Sequence, residues 1–245
     1  MSLSNGEKLS LQKKVNEWPF EHKKEVFKKL PKLRVSFILV RGINNRSKLK
    51  ESKQLLQETA DLVKLIFNKE SPKTHHLIQP WTAAKEHFGD KAHHYHTALE
   101  NLLQKTIKNK KIISSDVCTN LTNYLSLKHL VPLAIDNLDK LQGDLIFQLA
   151  KKKSKKTTLK NLQKGDLYYQ DDKGILGTKL DSWKNKKTSP NKSSKNIILH
   201  IDALPPTTNQ KLNDITKETA KLIESFCGGK ASYFILYQNK NSHKL

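Results

Sequence analysis

Hydrophobic and polar positions change rhythm several times along the chain. Over residues 9 to 30, "LSLQKKVNEWPFEHKKEVFKKL", scattered apolar residues recur among charges at helical spacing, which predicts a weakly amphipathic helix closed by Pro31. The next run, "LRVSFILVRGI", is almost unbroken from Val35 to Val40 and ends at Gly42, Asn44 and Asn45, the pattern of a buried strand and its turn. Helical spacing returns from about Ser47 to Lys69, with Leu55, Leu62, Val63, Ile66 and Phe67 as its expected inward stripe. Pro72 interrupts the chain, and two more helical segments follow, separated at Gly89. "SSD" then supplies an N-cap for a helix over about 115 to 130.

Beyond Pro132 the pattern becomes strand-like. Short apolar runs at 133–135, 144–149, 166–170, 174–178 and 197–204 are separated by Gly143, Gly165, Gly174 and Gly177. A last helix over 208–226 stops at Gly228 and Gly229, and "ASYFILY" reads as a final strand. Helices concentrated in the first half and strands in the second predict an α+β domain rather than a doubly wound sheet. Two stretches, 151–160 and 184–196, have loop composition.

Leu, Ile, Val and Phe make up 66 of 245 residues, about 27% of the chain and above the level of roughly 20% below which chains stay disordered. Charge adds a second constraint. The formal net charge is +22, and the only arginines are Arg34, Arg41 and Arg46. Such an excess predicts a polyanionic partner, nucleic acid before membrane. Lysine is a hydrated point charge without arginine's planar fork, so backbone contact is expected more than base reading. Within 151–160, Lys151, Lys152, Lys153, Lys155, Lys156 and Lys160 form the densest candidate RNA-binding run. The alternative for that run is a solvated loop tip.

Several chemistries are disfavoured. Cys118 and Cys227 are the only cysteines, which argues against a disulfide framework or thiolate zinc site and predicts a reducing, cytoplasmic setting. His93, His94 and His96 lack the spacing of a helical metal pair, so no metal is expected. Neither a P-loop, a dinucleotide fingerprint nor a GxSxG elbow occurs, so no cofactor or covalent nucleophile is predicted. The N-terminus has no signal-peptide core, and no apolar run reaches membrane-spanning length.

Within the helix at 115–130, Val117, Leu121, Tyr124 and Leu125 form a core stripe, while Thr119, Asn120, Asn123 and Ser126 crowd a neighbouring face. Such residues favour caps over helix interiors. Water on that face, or a ligand needing neutral donors and acceptors, would account for them.

"NLTNYLSLKHLVPLAIDNLDKLQGDLI" resembles the tRNA-editing domain of the bacterial phenylalanyl-tRNA synthetase β subunit, the B3/B4 domain, and more closely its free-standing relatives. The matching elements are Asn123, Tyr124, Ser126 and Leu127, then Pro132, then Asn137, Leu138, Asp139, Lys140 and Leu141, then Gly143 and Asp144. "VSFILVRGINN", "HYHTALENLL", "KGDLYYQDDKGILG", "SWKN" and "SKNIILHIDAL" extend the likeness in order across about residues 33–238. The chain departs from the synthetase pattern at Ala134, where a histidine stands in the synthetase, at Lys184 and Asn185 in place of Arg-Asp, and at Ser194 in place of threonine.

The resemblance implies a single α+β domain over 33–238 with a mixed-sheet or sandwich core and flanking helices, preceded by a helical extension at 1–32 and followed by a tail at 239–245. It also implies a domain that holds the aminoacylated end of a tRNA and hydrolyses a mischarged ester without an enzyme nucleophile. Asn120, Asn123 and Ser126 would serve catalysis, and Trp183, Lys184, Asn185, Thr188 and Ser194 would bind substrate. Alternatives are a non-catalytic tRNA-binding module and an aminoacyl transferase using aminoacyl-tRNA.

Overall fold

A computed structural model of the chain describes residues 19–67, 72, 74–85, 96–151, 162, 164–178 and 183–244. The elements in order are β1 (Pro19–His22), α1 (Lys24–Lys29), β2 (Arg34–Arg41), α2 (Leu49–Ile66), α3 (Gln79–Lys85), α4 (Ala98–Ile107), α5 (Val117–His129), β3 (Leu133–Asn137), β4 (Leu145–Leu149), β5 (Leu167–Asp171), β6 (Gly174–Thr178), β7 (Trp183–Lys184), β8 (Asn196–Ala203), α6 (Asn209–Cys227), β9 (Lys230–Leu236) and β10 (Ser242–Lys244). Short 3-10 turns follow β3, at Leu138–Lys140, and β7, at Lys186–Thr188. The fold is α+β and forms one domain.

Two sheets stack under a helical layer. The four-stranded sheet has the order β3-β8-β2-β9, and the six-stranded sheet β10-β1-β4-β5-β6-β7. The unbroken apolar character of β2 and β8 follows from burial on both faces. Ile38, Val40, Ile197, Leu199, Ile201 and Ala203 pack with residues of α5 and α6, whereas Val35, Phe37, Leu39 and Ile198 pack with residues of the six-stranded sheet. The period-2 alternation of side chains along a strand produces this division. Helix α6 supplies Leu212, Ile215, Ala220 and Ile223 as its inward stripe, and Thr208 caps it by accepting from the Lys211 amide.

Helix α5 is capped by Asp116, whose carboxylate accepts from the Thr119 amide, and it ends at Leu130 in the left-handed region with φ 52°. Pro132 then releases the chain into β3. Gly143 has φ +67°, a left-handed backbone conformation that favours glycine at this turn.

Two expectations are corrected. Residues 19–22 are a strand, paired parallel to β4 and antiparallel to β10, so the helix read over 9–30 is confined among described residues to Lys24–Lys29. Pro19 opens that strand, where its missing N–H is tolerated. β1 and β10 place residues 19–22 and 242–244 within the six-stranded sheet. On α2 the buried positions are Ser52, Leu56, Ala60 and Val63; Leu62 and Ile66, read as inward-facing, are 59% and 69% exposed. Gly89 and residues 152–160 lie outside the described residues.

Candidate functional site

β3 divides the sequence-predicted site residues into two groups. Leu133 and Ile135 turn toward the helical layer. Asp136 turns toward the six-stranded sheet, where it meets Tyr169 of β5. The polar residues of α5 therefore lie on one side of β3, and the carboxylate of Asp136 on the other.

On the helical side, the polar groups are used within the fold. Asn120 is 0% exposed; its amide oxygen accepts from the Ser114 N–H at 2.7 Å, and its nitrogen donates to the Ser52 hydroxyl and the Ser114 carbonyl. Asn123 donates to the Ile112 carbonyl at 3.0 Å, and the Ser126 hydroxyl donates to the Val131 carbonyl at 2.7 Å. These three residues thus hold the loop before α5 and the turn after it. They do not converge with Trp183 on one cleft.

We predict that Asn120→Ala destabilises the protein by about 1–3 kcal/mol, because it removes the buried amide that holds the Ser114 backbone and the Ser52 hydroxyl. Turnover per folded molecule should stay unchanged. Thermal denaturation paired with activity normalised to the folded fraction checks both halves.

On the other side a compact polar cluster is present. Asp136, 4% exposed, accepts from the Thr188 hydroxyl at 2.7 Å and from the Tyr169 phenol at 3.3 Å, and pairs with the Lys184 ammonium at 3.0 Å. Lys184 Nζ also donates to the Ile135 carbonyl at 2.6 Å. Two of its three donors are thereby engaged, while the side chain remains partly exposed. Asp136, with three donors around it, is well arranged to fix the positions of Lys184 and Thr188.

The segment over the cluster, residues 183–195, contains five lysines and no carboxylate. Its shape is set by local polar groups. Asn185 accepts from the Lys187 amide and donates to the Ile175 carbonyl; Ser194 receives the Asn137 amide at 2.9 Å and the Asn191 N–H at 3.0 Å. Trp183 is half-buried on β7, paired with Thr178. Of the substrate-binding set, Lys184 and Thr188 therefore meet at Asp136, Asn185 and Ser194 shape the loop, and Trp183 sits beside Lys184 on the sheet edge.

Asn45 anchors this loop from below. Its nitrogen donates to the Asn191 carbonyl at 2.8 Å and its oxygen accepts from the Cys118 N–H at 2.8 Å, joining the turn after β2 to the start of α5. In the sequence it reads only as a turn former. Asp136, Tyr169 and His200 were likewise missed. His200 lies directly opposite Ala134 in the β3/β8 pairing and packs edge-on against Tyr169 at 5.3 Å. Paired residues on antiparallel strands project from the same face, so an imidazole stands beside the position where Ala134 departs from the synthetase pattern.

The two cysteines form a buried pair. Their sulfurs are 3.7 Å apart; the hydrogen bond that Cys118 and Cys227 share, with burial, pushes the Cys118 thiol well up, and the same bond holds the Cys227 thiol below its usual range. Among the described residues, no group of three or more His, Cys, Asp or Glu side chains could hold a metal ion, and no helix is long and apolar enough to cross a membrane.

The architecture is that of an α+β domain carrying a buried polar cluster at the edge of its smaller sheet, beneath a basic loop. A scan against protein-family models matches residues 90–228 to the B3/4 domain. The chain belongs to the B3/4 domain family, the domain found in the phenylalanyl-tRNA synthetase β subunit. A search of curated proteins finds no match. The matched region contains α4, α5, β3 through β8 and α6, while β2, which separates β8 from β9 in the sheet, lies before it. The folded unit is therefore larger than the match.

Proposed function

We propose that the protein binds the aminoacylated acceptor end of a tRNA and hydrolyses a mischarged aminoacyl ester at the Asp136 cluster. Family membership supports a role related to tRNA synthetases. The observation that carries the site is the ion pair and hydrogen bonds that bring Lys184 and Thr188 together on Asp136.

In the proposed reaction a water oxygen attacks the ester carbonyl carbon and gives up a proton to solvent, the carbon–oxygen bond to the terminal ribose breaks, and the ribose oxygen leaves with a proton from solvent. Negative charge develops on the carbonyl oxygen. The remaining Lys184 N–H donates to that oxygen, and the ammonium supplies positive charge that needs no reorganisation, because Asp136 and the Ile135 carbonyl already hold it. Thr188 and Tyr169 keep Asp136 in place. Such positioning and electrostatic stabilisation can drive ester hydrolysis without a covalent intermediate. The reading also supports a cytoplasmic location, where charged tRNA is found.

The test is deacylation of a panel of mischarged tRNAs by the purified protein at low salt. Faster loss of at least one aminoacyl group than in buffer is expected. Salt-sensitive tRNA retention with no hydrolysis across the panel selects a non-catalytic binding module instead. Release of the aminoacyl group onto an added amine, rather than as free amino acid, selects a transferase.

A further inference from the structure

A second cleft, of about 570 Å³, lies at the end of the four-stranded sheet away from Asp136, between the start of β2, the end of β9 and the β8–α6 turn. Asp136 pairs with Ile198 and Arg34 with Ala203, a difference of five residues, so the two places are separated by roughly 17 Å along β8. The volume is in the range of roughly 300–1,000 Å³ typical of ligand pockets.

The lining of this cleft has a particular chemistry. Pro31, Pro205, Ile235 and the 44% exposed ring of Tyr237 supply apolar wall, and Lys32 and Arg34 supply positive charge. Asn209, Gln238 and Asn239 add neutral amides, and among the described residues no carboxylate lines the cleft. Tyr237 is held by paired backbone hydrogen bonds with Lys240 in a tight turn, both at 2.9 Å, so its ring is presented from a fixed backbone. The guanidinium of Arg34 is oriented by bonds to the Asn209 side chain and the Thr207 carbonyl, which leave further N–H donors of its fork available. The cleft also borders the first residue of α6, a 19-residue helix whose N-terminal dipole favours anions.

A stackable aromatic ring, two cations and several amides match an unpaired nucleotide: base on ring, phosphate on cation, amides at the base edge. We propose that this cleft is a second RNA-binding site that takes one single-stranded nucleotide by stacking on Tyr237 with its phosphate at Lys32 and Arg34. The proposal rests on the reading that the protein binds RNA, and it assigns that binding a place distinct from the Asp136 cluster. An acidic peptide is the competing occupant; the aromatic platform and base-edge amides favour the nucleotide.

Fluorescence anisotropy with a labelled single-stranded RNA hexamer tests it, because this probe carries no aminoacyl ester. Tyr237→Ala should weaken binding about tenfold, within the range for loss of one stacked base, and Tyr237→Phe should stay within about twofold of wild type. Lys32→Ala should lower the slope of log affinity against log salt by about 0.7, one phosphate contact on a single strand. Both positions are exposed, and thermal denaturation of each variant confirms that it folds.

Hexamer binding that is unchanged in Tyr237→Ala, or a Lys32→Ala slope equal to wild type, overturns the site while leaving RNA binding intact. Equal loss in Tyr237→Phe and Tyr237→Ala overturns stacking as its basis. A polyglutamate peptide that binds as tightly, with the same dependence on Tyr237, overturns the nucleotide in favour of an acidic peptide. No binding of tRNA or hexamer by wild type overturns both this site and the RNA-binding reading beneath it.

Discussion

Lys184→Met should lower single-turnover deacylation by about 10²–10³-fold, the loss expected when one preorganised donor to a developing oxyanion is removed. Methionine keeps much of the length and apolar stem of lysine but has no ammonium to meet the Ile135 carbonyl or Asp136. Affinity for tRNA should change little, since one of 42 lysines contributes only a small share of a polyelectrolyte interaction. The signature is therefore a collapse of rate with binding retained. Lys184→Arg should recover part of the rate, because the charge returns in a planar geometry that cannot reproduce both existing bonds. Rapid-quench kinetics alongside filter binding separate these effects. A rate within threefold of wild type for Lys184→Met would remove Lys184 from the chemistry.

Glu100→Ala should produce the largest loss of stability. Glu100 and Lys85 are buried and paired, with Lys85 Nζ 2.7 Å and 2.5 Å from the two carboxylate oxygens. The same carboxylate accepts from the Thr97 N–H at 2.6 Å, closing the capping box of α4. Removal strands a buried ammonium and opens the cap, a cost of about 3–5 kcal/mol. For a chain of this size the midpoint of thermal unfolding should fall by about 6–20 °C. Pairing Glu100→Leu with Lys85→Met should recover most of the charge penalty, because an apolar pair of similar volume needs no desolvation of ions. Deacylation per folded molecule should be preserved in both, which separates this core from the Asp136 cluster. A single variant as stable as wild type would show that Lys85 finds water or another partner.

Elements governed by local pattern were legible in the sequence. The apolar run at 35–40 is β2, the "SSD" cap starts α5, and the glycine-separated runs after Pro132 are β3, β4, β5, β6 and β8. The N-terminal strand was hidden because "PFEH" has no strand pattern of its own; its conformation comes from pairing with β4 and β10, far away in the chain. On α2, helical spacing alone could not decide which stripe faces inward. Small residues, Ser52 and Ala60, occupy the packed side and leave Leu62 outward.

The polar cluster around Asp136 was half legible for a related reason. Lys184 and Thr188 could be picked out from their segment, but their partner Asp136 lies 48 residues before Lys184, and only the crossing of the two sheets joins them. His200 was invisible for the same reason, since the strand register alone places it across from Ala134. Asn120, Asn123 and Ser126 are ambiguous in the sequence because a dense set of short polar side chains inside a helix has two explanations. Here their bonds run to the backbone of flanking loops and, for Asn120, to the Ser52 hydroxyl as well.

The most direct test of the account is a crystal structure of the protein with an aminoacyl-adenosine analogue whose ester oxygen is replaced by nitrogen, so that it cannot be readily hydrolysed. The account predicts the carbonyl oxygen of the analogue within hydrogen-bonding distance of Lys184 Nζ, beneath the 183–195 loop and beside Asp136. An analogue seated instead on the helical side of β3, against Asn120 and Asn123, would contradict it.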